Sequence, residues 1–187
     1  MPDRVAVDDA VTDLLRRAEE ARVGSRRVVL LIDGRSGSGK TTLGRAVAAA
    51  WPVARLGPVR LVHLDDVYPG WHGLEAASHV VETSVLSTTA PGWRRWDWQH
   101  GRAGSWEALD PAVSLIVEGA GALTRASSSL ADVRVWLELD AETRRRRALG
   151  RDGTAFEPWW EVWAAQEERH LARWSPRGLA DVLVEAR

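Results

Sequence analysis

No cysteine and no asparagine occur in this chain of 187 residues, and lysine, tyrosine and phenylalanine each occur once. The missing thiols exclude disulfides and thiolate zinc sites, and they fit a cytoplasmic protein. No apolar run approaches the ~20 residues that cross a bilayer, which argues against a membrane protein. The opening Met1-Pro2-Asp3-Arg4-Val5-Ala6-Val7-Asp8-Asp9 is too acidic and too weakly apolar for a secretory signal. A formal net charge of −1 supplies no global basic field, which argues against a nucleic-acid binder. Repeats, low-complexity tracts and linkers are missing too. Hydrophobic content of 45% with 27% charge is ordinary for a globular chain, and the length predicts one domain over residues 1–187. Eleven tryptophans are many. A coding bias toward GC-rich codons accounts for several of them as replacements for Phe and Tyr in the core.

The same bias sharpens the one lysine. Of 25 basic Lys and Arg positions, all but Lys40 are arginine, and Lys40 lies within Gly34-Arg35-Ser36-Gly37-Ser38-Gly39-Lys40-Thr41. A compact ammonium can fold back against the β- and γ-phosphates of a nucleotide where a planar guanidinium cannot. The motif G-x-x-x-x-G-K-T between an apolar strand and a helix is a phosphate-binding loop. Its glycines turn N–H groups toward phosphate oxygens and the helix N-terminus adds its positive end. Residues Gly34, Ser36, Gly37, Ser38, Gly39, Lys40, Thr41 and Thr42 are therefore the candidate nucleotide cradle, with the Thr41 hydroxyl a magnesium ligand.

Apolar patterning supplies the frame. Asp8–Arg22 carries Val11, Leu14, Leu15, Ala18 and Ala21 at helical spacing. Val28–Ile32, Val59–Leu64, Ser114–Glu118, Val133–Leu139 and Asp181–Glu185 read as strands, the first continuously apolar as in strands buried on both faces. Helices are expected over Thr41–Trp51, Leu74–Leu86, Asp140–Gly150 and Glu157–Trp174. Strands alternating with helices predict a three-layer α/β fold of the P-loop NTPase type. It has a five-stranded, mostly parallel sheet with helices on both faces. A lid region containing the Asp140–Gly150 helix is expected over about 141–156 and an acceptor-binding excursion over about 68–106. Within that excursion Pro91–Glu107 reads as irregular.

Several P-loop classes are excluded. A GTPase needs Asn-Lys-x-Asp, a transporter ATPase needs Leu-Ser-Gly-Gly, and neither occurs. A small phosphoryl-transfer enzyme remains, which needs a base, a magnesium-organising carboxylate and lid arginines. Asp65 follows Leu61-Val62-His63-Leu64 at the carboxyl edge of the sheet, where doubly wound folds bind ligands. It is the preferred general base and a second contact to magnesium; Asp66 is the alternative base, and both could instead cap a turn. Glu118 ends an apolar strand and reads either as a magnesium contact through water or as a structural acceptor for the Gly119–Gly121 turn. Arg144, Arg147 and Arg151 share one helical face, either a phosphate-contacting lid or a solvated basic face. Trp93, Trp96, Asp97, Trp98 and His100, with Tyr68, Trp71 and His72, are candidate acceptor contacts. Aromatic faces stack on rings and a carboxylate takes vicinal hydroxyls, though tryptophan clusters also serve as plain packing.

The chain resembles the uridine kinase family of P-loop kinases, and within it an actinobacterial branch. The resemblance rests on Gly34–Thr41, Leu64-Asp65-Asp66-Val67-Tyr68, Val117-Glu118-Gly119, and Asp140-Ala141-Glu142-Thr143-Arg144 through Arg147 to Arg151-Asp152. It implies ATP and Mg²⁺ as cofactors, Asp65 as base, Glu118 with Thr41 at magnesium, and Lys40, Arg144, Arg147 and Arg151 at phosphates. It also implies a nucleoside ribose held by Trp96-Asp97. The chain departs from the family at Val67, in place of phenylalanine, and in the tryptophan-rich Gly92–Trp106 stretch. The expected function is transfer of the γ-phosphoryl group of ATP to a small-molecule hydroxyl, foremost the 5′-hydroxyl of uridine or cytidine. Other hydroxylated metabolites (a sugar acid, a vitamin precursor, an antibiotic) and an ATP-binding module without transfer activity are the alternatives. A homo-oligomer stays open.

Overall fold

The computed structural model describes residues 1–24 and 26–186, with the side chain of Asp152 outside the described set. Its centre is β2 (Val29–Gly34), a strand buried along its whole length. On one side of β2 lie β6 (Ser114–Glu118) and then β3 (Val59–His63); on the other lie β7 (Val133–Glu138), β8 (Val182–Glu185) and β1 (Asp3–Ala6). Every neighbouring pair is parallel. Side chains of successive strand residues alternate between the faces. Leu30, Ile32 and Ile116 therefore join one apolar cluster with Leu14 of α1 (Val7–Ala21) and Val47 of α2 (Lys40–Ala49). Leu31, Leu115 and Val117 join the other, with Leu74 of α4 (Leu74–Val80) and Trp163 of α7 (Trp160–Trp174). Two clusters back to back explain why these strands read as unbroken apolar runs.

The expected α/β class holds, with two corrections. The sheet has six strands among the described residues, because Asp3–Ala6 pairs with β8 in register Asp3↔Val182 to Ala6↔Glu185. This strand has four residues, mostly exposed, and so shows no apolar run. The stretch expected to be irregular is instead an antiparallel hairpin, β4 (Gly92–Asp97) with β5 (Arg102–Ala108). A register shift between Arg94 and Trp96 interrupts the alternation that would mark a strand.

The remaining elements are connectors and covers. Helices α3 (Val53–Leu56), α5 (Arg125–Leu130) and α8 (Pro176–Leu179) are short. Helix α4 runs on as a π-turn over Val81–Val85. Helix α6 (Ala141–Phe156) fills the region expected for a lid and extends six residues beyond the expected helix end at Gly150. Asp140 caps it by accepting from the Thr143 N–H at 2.8 Å, which holds the Asp140 carboxyl below its usual range. Its run is broken at Gly153, whose φ of 53° and ψ of −137° turn the last residues aside. Among the described residues no helix is long and apolar enough to cross a membrane.

Candidate active site

The chain leaves β2 at Gly34 and enters α2 at Lys40, so the intervening loop sits beyond the carboxyl end of the central strand. After β2 the chain passes to β3, and returns to β6 between them; β7 then crosses to the far side. That reversal opens the crevice in which doubly wound sheets bind ligands. Gly37 and Gly39 take φ values of 80° and 102°, a region that disfavours side chains. A Cβ at Gly37 would also collide with the Arg144 carbonyl. With a glycine at its N-cap, α2 presents first-turn N–H groups that no capping side chain engages. Lys40 is nearly buried and its Nζ donates to the Arg35 carbonyl at 3.1 Å.

Three side chains meet at the foot of the loop. The Thr41 hydroxyl donates to Glu118 Oε1 at 3.0 Å, and His63 Nδ1 lies 2.6 Å from the same oxygen. Register explains the meeting, since Ile32 and His63 both pair with Glu118 across the sheet. The Glu118 hydrogen bond raises the His63 pKa above the ordinary imidazole value, against the opposing effect of burial. Thr41 and Glu118 offer hard oxygen donors beside the loop and so fit a divalent cation that takes its other ligands from phosphate and water. No group of three His, Cys, Asp or Glu side chains among the described residues forms a metal site by itself.

Asp65 lies in the 3₁₀ turn Leu64–Asp66 that follows β3, and it lines a cleft of about 200 Å³ with Ser36, Gly37, Lys40, Thr41 and Glu118. Asp66 turns elsewhere, pairing with Arg95 of the hairpin at 3.1 Å. Tyr68 and Trp71 also line the cleft. The Tyr68 hydroxyl donates to the Ala120 carbonyl at 2.8 Å, and burial pushes its pKa well above normal. Of the three candidate lid arginines Arg144, Arg147 and Arg151, only Arg151 is among the residues lining the cleft. Arg144 is buried under the loop, with Nε on the Leu139 carbonyl at 3.1 Å and Nη1 on the Ser36 carbonyl at 3.3 Å. Burial lowers its pKa, and the charge of Arg35 acts in the same direction. Thr42 is exposed in the first turn of α2, and Ser38 is buried.

The expected acceptor group is divided. Trp93 is 3% exposed and belongs to the apolar core, not to the cleft. Trp96 packs under the loop at Gly70. Asp97 accepts from the His100 N–H at 3.1 Å and from His100 Nδ1 at 2.7 Å, which holds its carboxyl below the usual range. Neither Asp97 nor His100 lines the cleft. His72 is exposed and meets Trp159 edge-on. The aromatic wall instead contains Trp98, alone of the expected hairpin group, with Phe156 and Trp163, which the sequence did not single out. Trp98 Nε1 donates to the Asp65 carbonyl at 2.7 Å and thereby ties the hairpin to the turn carrying the carboxylate.

Two buried carboxylates also escaped the sequence reading. Glu167 of α7 accepts from Arg35 Nε at 2.9 Å and from the Ser36 N–H at 2.7 Å, gripping the loop from outside. Burial disfavours the charge on Arg35, yet the Glu167 hydrogen bond raises its pKa on balance. Asp33 accepts from the N–H groups of Gly34 at 2.7 Å, Gly121 at 3.0 Å and Leu123 at 2.8 Å, and so fixes the turn after β6. Its sequence signal, a carboxylate inside an apolar strand, is the one that marked Glu118. Asp33→Ala strands three buried donors, and at ~1–3 kcal/mol for each unsatisfied group a loss of about 3 kcal/mol or more is expected. Urea denaturation measures it; an unchanged midpoint would contradict the role.

No protein-family model matches the sequence, and no curated protein matches it. Solved structures similar to the chain include two kinases by their descriptions. One is a possible uridine kinase from Bacillus stearothermophilus, 20% identical, with a TM-score of 0.63 over 95% of this chain and 98% of that one. The other is a candidate fructose transport system kinase from Silicibacter sp. TM1040, 19% identical, with a TM-score of 0.57 over 92% of this chain and 98% of that one. At these identities the likeness establishes the fold: a parallel α/β sheet with helices on both faces and a glycine-rich loop leading into α2.

Proposed function

We propose that the chain is a P-loop kinase that transfers the γ-phosphoryl group of ATP to a hydroxyl of a small molecule. The observation that carries this is the gathering of Lys40, Thr41, Glu118 and Asp65 in one cleft. A loop that only bound nucleotide would have no use for a carboxylate at the acceptor side of the phosphates. In this reading the loop N–H groups and Lys40 hold the β- and γ-phosphates, and Arg151 approaches them from α6, the lid. Thr41 and Glu118 hold magnesium, which neutralises charge on the phosphate oxygens. Asp65 accepts the proton of the attacking hydroxyl and orients it in line. Arg144 supports the loop from beneath.

The acceptor implied by the family resemblance is a nucleoside 5′-hydroxyl. A second reading, another hydroxylated metabolite, is favoured by the engagement of Asp97 with His100 outside the cleft. Both predict acceptor-dependent ADP release that needs magnesium. A coupled ADP assay with a panel of alcohols checks this: turnover should vanish when magnesium is chelated and be near background without acceptor. ATP binding with no ADP formed from any acceptor would favour a nucleotide-binding module instead.

A further inference from the structure

Helix α7 buries four side chains, Trp163, Gln166, Glu167 and His170. Three of the four are polar, a costly choice for the inward face of a helix. Glu167 accepts from the Ser36 N–H at 2.7 Å and from Arg35 Nε at 2.9 Å, both in the phosphate loop. Gln166 donates through Nε2 to the Trp71 carbonyl at 2.7 Å and accepts through Oε1 from the Leu74 N–H at 3.3 Å. It thereby holds both ends of the turn that carries Trp71 into the cleft. His170 stands behind them, its Nε2 3.4 Å from Asp33 Oδ2.

Gln166 and Glu167 themselves lie outside the cleft lining. Successive residues of a helix diverge by about 100°, which lets one turn of α7 serve two loops. Those loops are opposite rims of the cleft. Ser36, Gly37, Lys40 and Thr41 line the donor side, and Tyr68 and Trp71 line the other. Among the described residues no hydrogen bond joins the two rims directly. The turn of α7 is a bonded path between them, backed by Trp163, which meets Tyr68 edge-on at 4.7 Å. Buried ion pairs are weak sources of stability, since apolar replacements are often neutral or better. What Gln166 and Glu167 supply is a fixed spacing between the rims.

We infer that Gln166 and Glu167 are paired positioning residues, through which nucleotide on the phosphate loop orders the segment 68–74 on the acceptor side. This rests on the kinase reading and deepens it, because it sets how donor and acceptor binding depend on each other. Phosphates that engage the loop fix Ser36 and Arg35, and these hold Glu167 in place. Gln166, on the same turn, then holds the Trp71 carbonyl and the Leu74 N–H at a set height. An acceptor that meets an already ordered rim loses less conformational entropy on binding. By linkage, the acceptor strengthens nucleotide binding by the same factor. In-line transfer gains as well, because a misplacement of about 1 Å between reacting groups can cost about 10²-fold in rate.

Hydrogen exchange read by mass spectrometry tests this with no acceptor present. The free protein is compared with protein saturated by magnesium and the β,γ-imido analogue of ATP. In the wild-type protein the analogue should slow exchange across residues 34–41. It should also slow residues 68–74 by about tenfold, within the usual range of coupling between sites. Slowing at α1 measures global stabilisation by the bound analogue and is divided out. Glu167→Ala and Gln166→Met should each keep the slowing at 34–41, at a higher analogue concentration, and lose it at 68–74. A merely structural role would speed exchange equally with and without the analogue and leave that ratio unmoved. Glu168→Ala, which removes only the exposed partner of Arg35, should retain the wild-type ratio. Slowing at 68–74 that is absent from the wild-type protein, or that survives in either variant, would overturn the inference and leave the kinase reading intact. No slowing at 34–41 in the wild-type protein would mean that nucleotide does not occupy the loop, and would overturn both.

Discussion

Asp65→Ala is expected to lower acceptor-dependent ADP formation by a factor on the order of 10²–10⁴, the usual contribution of a positioned general base. ATP affinity should stay within about threefold, because Asp65 meets the acceptor side of the phosphates and not the glycine-rich loop. The structure allows a clean comparison. The backbone of Asp65 is held in a 3₁₀ turn by contacts that alanine keeps, including the Trp98 N–H on its carbonyl oxygen. The adjacent Asp66 points to Arg95 and supplies the control, since Asp66→Ala removes a partly exposed ion pair worth about 0–1 kcal/mol and should leave turnover within a few-fold. Rates and equilibrium ATP binding measured on both variants check the pair of expectations. If Asp66→Ala were the inactive variant, the base would be misassigned; if neither were, proton abstraction by a carboxylate would not limit the reaction.

The sequence made the frame legible because the frame depends on local signals. A strand buried on both faces must be apolar throughout, so Val29–Ile32 and Leu115–Val117 announce themselves, and the glycine loop between β2 and α2 is a contiguous motif. The Asp140 cap likewise locates the start of α6, although the helix runs on to Phe156, six residues past the expected Gly150. What escaped depends on distance along the chain. Glu167 lies 131 residues from the Ser36 N–H it accepts from, and nothing in α7 marks it as a loop clamp. The aromatic wall draws on the loop after β3, the hairpin turn, the end of α6 and α7, so no single stretch displays it. Within the hairpin, the register shift at Arg94–Trp96 decides which indoles turn inward: Trp93 enters the core, and Trp98 reaches Asp65. A count of tryptophans could not separate these roles, because both kinds of residue occur in the same six-residue span.

Lys40→Arg is the substitution on which the phosphate cradle depends most directly. Elsewhere in this chain arginine has displaced lysine at every basic position, so the exchange is one that the composition tolerates in general and rejects at position 40. The geometry supplies the reason. Lys40 folds back until its Nζ reaches the Arg35 carbonyl at 3.1 Å, under a loop already fixed by two guanidinium groups. Arg144 holds the Ser36 carbonyl from below, and Arg35 is clamped by Glu167 from outside. A third guanidinium, planar and on a longer stem, has five N–H groups to satisfy in a space that accepts a compact ammonium with three. It must push the loop open or swing out of the cleft, and in either case the point charge leaves the β- and γ-phosphates. The expected loss in kcat/KM is about 10²–10³, the magnitude for removing one preorganised electrostatic contact to the transferring group. Triphosphate affinity should weaken in the same variant, which separates it from Asp65→Ala. Titration with ATP and steady-state rates on Lys40→Arg and Lys40→Ala together test this. Equal behaviour of wild-type and Lys40→Arg proteins in both measurements would mean that the loop does not grip nucleotide phosphates through this side chain, and the kinase assignment would fall with it.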